Sequence, residues 1–386
     1  MTVTTQLCLV SAQPTPNLTP AIDRSMAPKR IILLVSPAMG RQAEWLGAVI
    51  ASRGIKVEQW PIDDPFDIEA MQHSILSLLE REKSLLETRA VALNATGGTK
   101  PMSIAAYEVF RSYELPIFYV HPEHDRVIWM FPGNHPSHNL EDRLKLEPFL
   151  QAHGVTVTGT PARNIPDKAF LACAGEIVQS YDRCKKALPT LNWLAGRADR
   201  QNLTSDRVKG DHGDLADLID IFERHGFLRR SNGRLRFRDE ASRFYVNGGW
   251  LEYYVFDAVR KLRRSDTSIQ DIARGLELER RQNDRRIPNE LDVAFLRDNR
   301  LHIIECKTAN LSRGREGGVG AEVIYKLDAL GDLFGGLQAR GMLVSFLPLP
   351  SHVTTRARDM NITVCAGDQI KILGEQLRRF TSANER

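Results

Sequence analysis

Short apolar runs alternate with helical patterns over the first 150 residues of the chain. A continuous run of branched apolar residues is typical of a strand that is buried on both faces of a parallel sheet. The predicted strands are Leu7–Val10, Ile31–Val35, Ile55–Trp60, Ala90–Leu93 and Ile117–Val120, with a further β element at Val127–Phe131. The predicted helices are Gln42–Ser52, Asp67–Leu86 and Pro101–Arg111. This alternation predicts a doubly wound α/β domain.

The loops after three of these strands are rich in glycine, proline and small polar residues, and they cover residues 11–17, 36–41 and 94–100. In open α/β sheets, ligands bind at the carboxyl ends of the strands. The third loop leads into a helix, so its free amides and Lys100 offer an anion site. Neither GxxxxGK[ST] nor GxGxxG is present, and the alternative is that the glycines only form a tight turn.

Two apolar runs near the C-terminal third, Val293–Leu296 and Leu301–Ile304, flank a polar turn and predict a hairpin. Asp292 begins the first strand. Glu305 and Lys307 lie two residues apart on the second strand, so their side chains share a face. Carboxylates bind a hard divalent cation, and a neighbouring lysine can orient or activate water. The hairpin therefore predicts a site for phosphodiester hydrolysis.

An apolar, aromatic stretch upstream, Trp250–Val255, predicts a buried helix that carries Glu252. A buried carboxylate is costly unless it is paired or bound to a metal. The alternative is an ordinary surface pair between Glu305 and Lys307, with Glu252 as a helix charge. Glu290 shares the predicted strand face of Asp292, and it is either a further acid of the site or only a nearby charge.

The segment 151–245 is the least regular part of the chain. Helical spacing covers Lys168–Lys186 and Leu215–Phe222, and an Asn232-Gly233 turn between alternating runs predicts a hairpin. A helix followed by an arginine-rich hairpin resembles a small winged-helix module, which either docks the domains or contacts nucleic acid. The remaining predicted elements are a mobile loop at Ser312–Gly320, a helix at Val323–Leu333, and strands at Met342–Leu347 and Ile362–Val364.

The length of 386 residues and a hydrophobic content of 42% fit two or three domains, which we divide as 1–150, 151–245 and 246–386. The net charge of +4 permits nucleic-acid binding without requiring it. The basic excess is local, since six arginines and no acid occur between Arg224 and Arg238. The five cysteines are scattered without a CxxC pair, which predicts a reduced cytoplasmic protein with neither a zinc site nor disulfides. No signal peptide or membrane-spanning run is predicted.

Asp292, Glu305 and Lys307 resemble the PD-(D/E)xK core of restriction endonucleases, and Glu252 resembles the acid that an upstream helix adds to that core. The resemblance implies a restriction-endonuclease-like α/β domain that binds Mn²⁺ or Mg²⁺. Asp292, Glu305 and the Cys306 carbonyl are the implied metal ligands, and Glu252 is expected to bond a metal-bound water. Lys307 is expected to orient or deprotonate the attacking water, and Lys326 to contact a substrate phosphate.

Together with this core, the three N-terminal loops resemble those of the CARF domain, a Rossmann-like sensor of cyclic oligoadenylates. The whole chain resembles the Card-type CARF nuclease effectors of type III CRISPR antiviral defence. This resemblance implies a homodimer that is activated by cyclic tetra-adenylate and cleaves DNA and also RNA. The implied activator-binding residues are Ser11, Gln13, Asn17, Ser36, Met39, Thr96, Gly97, Gly98, Thr99 and Lys100.

Two other functions are compatible with parts of the sequence. A non-enzymatic, ligand-responsive DNA-binding regulator would need only the N-terminal domain and the winged-helix-like segment, but it would not need the acids of the hairpin. The string Arg297…His302 matches the Arg-x4-His motif of a class of ribonucleases, which carry it on a helix. Here the string crosses a predicted hairpin turn, so we interpret it as a coincidence.

Overall fold

The computed structural model describes residues 3–121, 125–209, 212–282, 285–312 and 318–382. Within these ranges the chain forms a seven-stranded sheet, a six-stranded sheet and a two-stranded hairpin. The α/β class predicted from the sequence is confirmed, with a largely parallel sheet in the N-terminal part and a mixed sheet in the C-terminal part.

The N-terminal sheet has the strand order β3-β2-β1-β4-β5-β6-β7. The first five strands of this order run parallel, and β6 and β7 are antiparallel additions. The strands are β1 Thr5–Leu9, β2 Arg30–Val35, β3 Lys56–Pro61, β4 Val91–Asn94, β5 Ile117–His121, β6 Arg126–Phe131 and β7 His138–Asn139. All six β elements predicted in this part are present. The prediction that β3 is buried on both faces is wrong, because β3 lies at the sheet edge and its side chains are partly or fully exposed.

Helices cover both faces of this sheet. They are α1 Thr15–Ile22, α2 Gly40–Ala51, α3 Ile68–Arg81, α4 Lys83–Glu87, α5 Lys100–Ser112 and α6 Leu146–Ala152. Alternate strand residues face α3 and α5 on one side, and α1, α2 and α6 on the other. A single helix was predicted over Asp67–Leu86. This prediction is wrong in one respect, because the helix is interrupted at Glu82, between α3 and α4.

The second sheet has the order β15-β14-β13-β12-β11-β8. Its strands are β8 Val155–Val157, β11 Ile269–Gln282, β12 Arg285–Arg297, β13 Arg300–Lys307, β14 Arg340–Ser345 and β15 Thr363–Ala366. The predicted hairpin is confirmed as β12 and β13, with positive φ angles at Asp298 and Asn299 as a two-residue turn of this hand requires. Strand β11 was not predicted, and β8 brings the start of the segment 151–245 into this sheet.

The connecting segment contains helices α7 Lys168–Gln179, α8 Tyr181–Gly196 and α9 Asp214–Arg224. The single helix predicted over Lys168–Lys186 is wrong, since α7 and α8 are separate helices that meet at Ser180. The hairpin at Asn232-Gly233 is confirmed by strands β9 Leu228–Ser231 and β10 Arg234–Phe237. Arg230 in this hairpin pairs with Asp220 and Glu223 of α9, which is a structural role. Contact of this segment with nucleic acid stays a prediction.

The remaining helices are α10 Glu240–Phe244, α11 Trp250–Leu262, α12 Gly318–Gly335, α13 Ser351–Asp359 and α14 Leu373–Ser382. One face of the second sheet packs against α7, α8, α11 and α14. The other face packs against α12 and α13 and joins the core beneath α1, α2 and α6 of the N-terminal sheet. Leu46 and Phe149 therefore share one hydrophobic core with Leu276, Leu301 and Phe334. No helix within the described ranges is both long enough and apolar enough to cross a bilayer.

A buried polar network joins the hairpin turn of the second sheet to the N-terminal domain. The Asn299 side chain donates hydrogen bonds to Asp125 and, at 3.3 Å, to the Glu141 carbonyl oxygen, while its backbone N–H donates to Gln270 at 2.9 Å. Thr19 of α1 donates to the same Asp125 carboxylate at 3.3 Å. Burial raises the pKa of Asp125 to about 6, although the bonds from Asn299 and Thr19 oppose this shift. The turn is thus anchored by largely buried polar groups.

We expect Asn299→Ala to lower the midpoint of thermal unfolding. The substitution leaves buried acceptors without a donor, which costs about 1–3 kcal/mol, and it places alanine at a φ of 54°. Asn202→Ala is the matched control, because Asn202 is exposed. Equal melting curves for the two variants, measured by circular dichroism, would contradict this account of the network.

Candidate active site

Asp292 lies where two paired strands separate. Strands β12 and β13 pair from their turn as far as Val293 and Ile304. Beyond that point the Cys306 backbone N–H donates to Asp292 Oδ2 at 2.7 Å. A side chain thus takes the place of the next rung of the ladder, and the carboxylate is held between the strands.

Glu305 is the most enclosed acid of the site, with 2% of its side chain exposed. Its Oε1 accepts a hydrogen bond from Lys307 Nζ at 2.6 Å, as their predicted shared face requires. Lys326, which projects from α12, places its Nζ 3.5 Å from the same oxygen and is half exposed. Three residues that were predicted separately for metal binding, water activation and phosphate contact are therefore in contact.

Glu252 lies in the first turn of α11, the buried helix that was predicted, and its side chain belongs to the same acid cluster. The chain enters α11 through a kink at Gly248, where φ is 108°. A Cβ at Gly248 would lie 2.1 Å from Thr308 Oγ1, so only glycine lets the start of the helix approach the segment that follows Lys307. Asn192 of α8 donates to the same Thr308 hydroxyl at 2.9 Å and supports this junction.

The acids are crowded enough to alter each other's ionisation. Burial, with Asp292 and Glu290 nearby, raises the pKa of Glu252 to about 8. Burial and the charge of Glu305 raise the pKa of Asp292 to about 6. Burial alone would lower the pKa of Lys307. The negative charges of Glu305 and Asp292 outweigh burial, and the pKa of this lysine is raised. Each of these shifts reflects excess negative charge in an enclosed space.

A divalent cation fits this donor set. Oε2 of Glu252 and Oε2 of Glu305 are buried and accept no hydrogen bond from any described residue. Unsatisfied buried carboxylate oxygens are the ligands that Mg²⁺ and Mn²⁺ prefer. Within the described ranges, however, no three Asp, Glu, His or Cys side chains stand at metal-binding spacing. Asp292 and Glu305 would therefore need a backbone carbonyl, such as that of Cys306, and water to complete a coordination shell.

Two other side chains near the site, those of Cys306 and His302, pack against the hydrophobic core. Burial, reinforced by the neighbouring acids, raises the pKa of the Cys306 thiol well above its usual value, so the thiol is not a reactive group. His302 is buried, stacks on Phe295, and has its pKa lowered by burial to about 3. This position in a strand agrees with the interpretation of Arg297…His302 as a coincidence. Residues 313–317 of the predicted Ser312–Gly320 loop lie outside the described residues, and α12 begins at Gly318.

One charged side chain of this region was missed in the sequence. Arg274 of β11 places its Nη1 3.7 Å from Glu252 Oε2, and its guanidinium lies 3.7 Å from the ring centroid of Tyr253. In the sequence it belongs to a basic run that reads as a solvated surface. The available signal was its place two residues before Leu276, in an alternating pattern that indicates a strand.

The N-terminal loops converge at the carboxyl ends of β1, β2 and β4, but several predicted activator contacts are internal bonds. Asn17 is buried, donates to the Leu9 carbonyl oxygen at 2.8 Å and accepts from Asn94 at 3.0 Å. Asn17 is thus a residue that holds the loops together, which differs from the exposed position expected of a contact residue. Thr96 similarly donates to Asn94 at 2.6 Å.

The start of α5 shows a similar division of roles. The Thr99 hydroxyl accepts from the Met102 N–H at 3.2 Å and so caps the helix, while Lys100 is exposed beside it. Gly97 and Gly98 lie against Leu9 of β1. Ser36 is buried, whereas Ser11 and Met39 are half-buried. Among the predicted contacts, Lys100, Ser11, Met39 and Gln13 therefore keep accessible side chains.

Gln13 connects these loops to the second domain. Its side-chain amide fills the space beside Gly336, where an added Cβ would lie 2.1 Å from Gln13 Oε1. Gly336 directly follows α12, the helix that carries Lys326. A cavity of about 150 Å³ adjoins this contact and is lined by both domains, with Gln13 and Thr15 on one side and Asn299 and Gln338 on the other. A predicted ligand loop thus touches the helix that borders the acids.

Comparison with known families agrees with this geometry. The sequence family described as the Card1 CARF domain matches residues 5–149, and the family described as the Card1-like endonuclease domain matches residues 238–384. The chain belongs to the Card1 family. The acid cluster around Asp292 therefore lies within an endonuclease domain, and the N-terminal loops lie within a CARF domain.

Solved structures similar to this Card1-family chain extend over its full length. Protein VC1899 from Vibrio cholerae is 30% identical, with 98% of both chains covered and a TM-score of 0.90. Can2 from Sulfobacillus thermosulfidooxidans, in complex with cyclic tetra-adenylate, is 27% identical, covers 97% of this chain and 98% of its own, and has a TM-score of 0.80. A type III CRISPR defence DNA nuclease activated by cyclic oligoadenylate shares the fold at 19% identity and a TM-score of 0.64, with 99% of this chain and 52% of that chain covered. No curated protein matches the chain.

Proposed function

We propose that this Card1-family protein is a metal-dependent endonuclease of type III CRISPR antiviral defence, activated by cyclic tetra-adenylate. Its substrates are phosphodiester bonds of DNA and of RNA. The observation that carries the catalytic part is the meeting of Glu252, Asp292 and Glu305 with Lys307, where two carboxylate oxygens are buried without a donor. A regulator that only binds DNA has no use for such a cluster, because its like charges destabilise one another.

Each residue of the acid cluster has a separate role that follows from its position. Asp292 and Glu305 would hold Mn²⁺ or Mg²⁺, which supplies an activated water and offsets charge on the phosphate. Lys307 orients Glu305 through its hydrogen bond, and its remaining N–H donors orient the attacking water. Lys326, half exposed on α12, contacts the substrate phosphate. Glu252, on the helix side of the cluster, accepts a proton or a water hydrogen bond beside the reacting group.

The activator part rests on the CARF match and on the structure of Can2, which contains cyclic tetra-adenylate. We infer that two chains pair through their CARF domains, because a cyclic ligand with internal symmetry suits an isologous dimer that offers the same loops twice. Lys100 and Ser11 are the polar side chains best placed to meet it. Activation requires that the ligand favour one arrangement of the dimer over another.

The decisive experiment is cleavage of labelled single-stranded DNA, RNA and supercoiled plasmid by the full chain with Mn²⁺. Each substrate is incubated with and without cyclic adenylates of several ring sizes, and with EDTA as the metal control. Cleavage that needs both metal and cyclic tetra-adenylate supports the proposal. A mobility shift of the plasmid without nicking would instead identify the protein as a ligand-responsive regulator.

Affinity for Mn²⁺ is expected to rise with pH between about 6 and 8. In the metal-free site the raised pKa values of Asp292 and Glu252 mean that protons stay bound until about pH 6 and 8, respectively. A cation must displace these protons, so lowering the pH weakens binding by up to about tenfold per pH unit for each proton released. Calorimetric titration in buffers of different ionisation enthalpy measures the released protons. An affinity that is flat between pH 6 and 8 would contradict the placement of Glu252 beside the metal, and one that is flat below pH 6 would contradict Asp292 as a ligand.

A further inference from the structure

Arg274 lies beside the acids of the site without forming a hydrogen bond to them. It lies on β11 opposite Val293, the residue next to Asp292. Its side chain is 15% exposed, and its guanidinium is held flat against the ring of Tyr253 at 3.7 Å from the ring centroid. The backbone N–H and carbonyl of Arg274 both bond to Ala162 of the connecting segment. The position of the side chain is therefore fixed by stacking and by the strand.

The donors of this guanidinium remain available. Its distance of 3.7 Å from Glu252 Oε2 is too long for a hydrogen bond, and no other described residue accepts a hydrogen bond from its side chain. None of its nitrogens is both buried and without a partner, so solvent reaches them. Arg163, an arginine with a structural role, is different: its guanidinium donates to Asp271 at 3.2 Å and to Glu147 at 2.6 Å. Arg274 thus keeps its donor fork free.

Space is also open at the residue that follows Arg274. Gly275, the next residue, lies opposite Asp292 across the two strands and has a φ of 58°. No atom lies within 4 Å of the position that a Cβ at Gly275 would occupy. Arg274 and Asp292 thus lie on adjacent strands, one residue apart in register, next to a position that carries no side chain.

We propose that Arg274 is a catalytic residue that binds a non-bridging phosphate oxygen of the nucleic-acid substrate. The inference rests on the proposed nuclease function and adds a substrate contact to it. A phosphate that approaches the acid cluster is repelled by its negative charge, and Lys307 is already engaged by Glu305. An arginine fork binds phosphate through two parallel hydrogen bonds. Glu252 lies 3.7 Å from Arg274 Nη1 without occupying its donors.

The test compares Arg274→Met and Arg274→Lys with Arg264→Met. Arg264 is exposed just beyond the end of α11, about 18 Å along the helix from Glu252, so its substitution removes the same charge away from the site. Cleavage of labelled single-stranded DNA with cyclic tetra-adenylate and Mn²⁺ gives kcat/KM. Arg274→Met is expected to lower kcat/KM on the order of a hundredfold, Arg274→Lys less, and Arg264→Met by less than about twofold.

Binding of the same oligonucleotide, measured at several salt concentrations in a Glu305→Gln background, separates a phosphate contact from an indirect effect. Loss of one contact lowers the slope of log K against log salt concentration by about 0.7. We expect this decrease for Arg274→Met and not for Arg274→Lys. An unchanged slope, whether or not cleavage is lost, overturns the proposal. Failure of the unsubstituted protein to cleave would refute the proposed function instead, and the slope would still report on Arg274.

Discussion

Glu305→Gln is expected to lower nucleic-acid cleavage on the order of a thousandfold while leaving binding of cyclic tetra-adenylate unchanged. The amide has the shape of the carboxylate and can still accept a hydrogen bond from Lys307, so the local packing is retained. It lacks the charge, however, and an amide oxygen is a much weaker ligand for Mn²⁺ than a carboxylate. Because Glu305 is 2% exposed, no outside group can replace it.

Three measurements make this result interpretable. Cleavage rates are compared with those of Glu375→Gln, which removes an exposed carboxylate of α14. Calorimetry with Mn²⁺ should show weakened metal binding in Glu305→Gln, and titration with cyclic tetra-adenylate should give the affinity of the unsubstituted protein. Cleavage retained at a tenth of the original rate or more would show that the hydrolytic site lies elsewhere in the chain.

Gly97→Ala is the second substitution for which we expect a large effect, and it acts in the N-terminal domain. An alanine Cβ at this position would lie 2.0 Å from the Leu9 carbonyl oxygen. The same oxygen accepts the hydrogen bond from Asn17 that holds the loop after β1. Both sides of the clash are backbone or buried, so β1 and the loop after β4 must separate, which costs about 1–3 kcal/mol or more.

The expected result is an activator concentration for half-maximal cleavage that rises at least about tenfold, since each 1.4 kcal/mol corresponds to a factor of ten in affinity. Binding of Mn²⁺ should not change, because the acids belong to the other domain. Gly133→Ala is the control, since no atom lies within 4 Å of the corresponding Cβ position. If both variants respond to the activator like the unsubstituted protein, the loop does not bind it.

The parallel strands of the N-terminal sheet could be predicted because burial on both faces leaves an uninterrupted apolar run. Strand β3 does not follow that rule: Ile55–Trp60 is interrupted by Lys56, Glu58 and Gln59, and it forms an edge of the sheet. Strand β11 escaped prediction for the opposite reason. Its distal half carries Glu277, Glu279, Arg280 and Arg281, and such a charged run has the same composition as a solvated loop.

The contact between Glu305 and Lys307 could be predicted because a period of two fixes which side chains share a strand face. Asn17 and Arg274 depend on contacts between distant parts of the chain. Whether a loop residue turns inward, as Asn17 does toward Leu9, is decided by the neighbouring strand. Arg274 could not be predicted because the residues that it contacts, Glu252 and Tyr253, belong to a different element.

The hydrophobic core that unites Leu46 and Phe149 with Leu276, Leu301 and Phe334 has a consequence for protein engineering. A chimaera that joins this N-terminal half to the catalytic half of a relative would leave mismatched apolar surfaces at the join. Such a fusion should be insoluble unless α2, α6 and α12 are exchanged together. Altered messenger specificity is therefore more accessible through point changes in the loops than through exchange of whole cassettes.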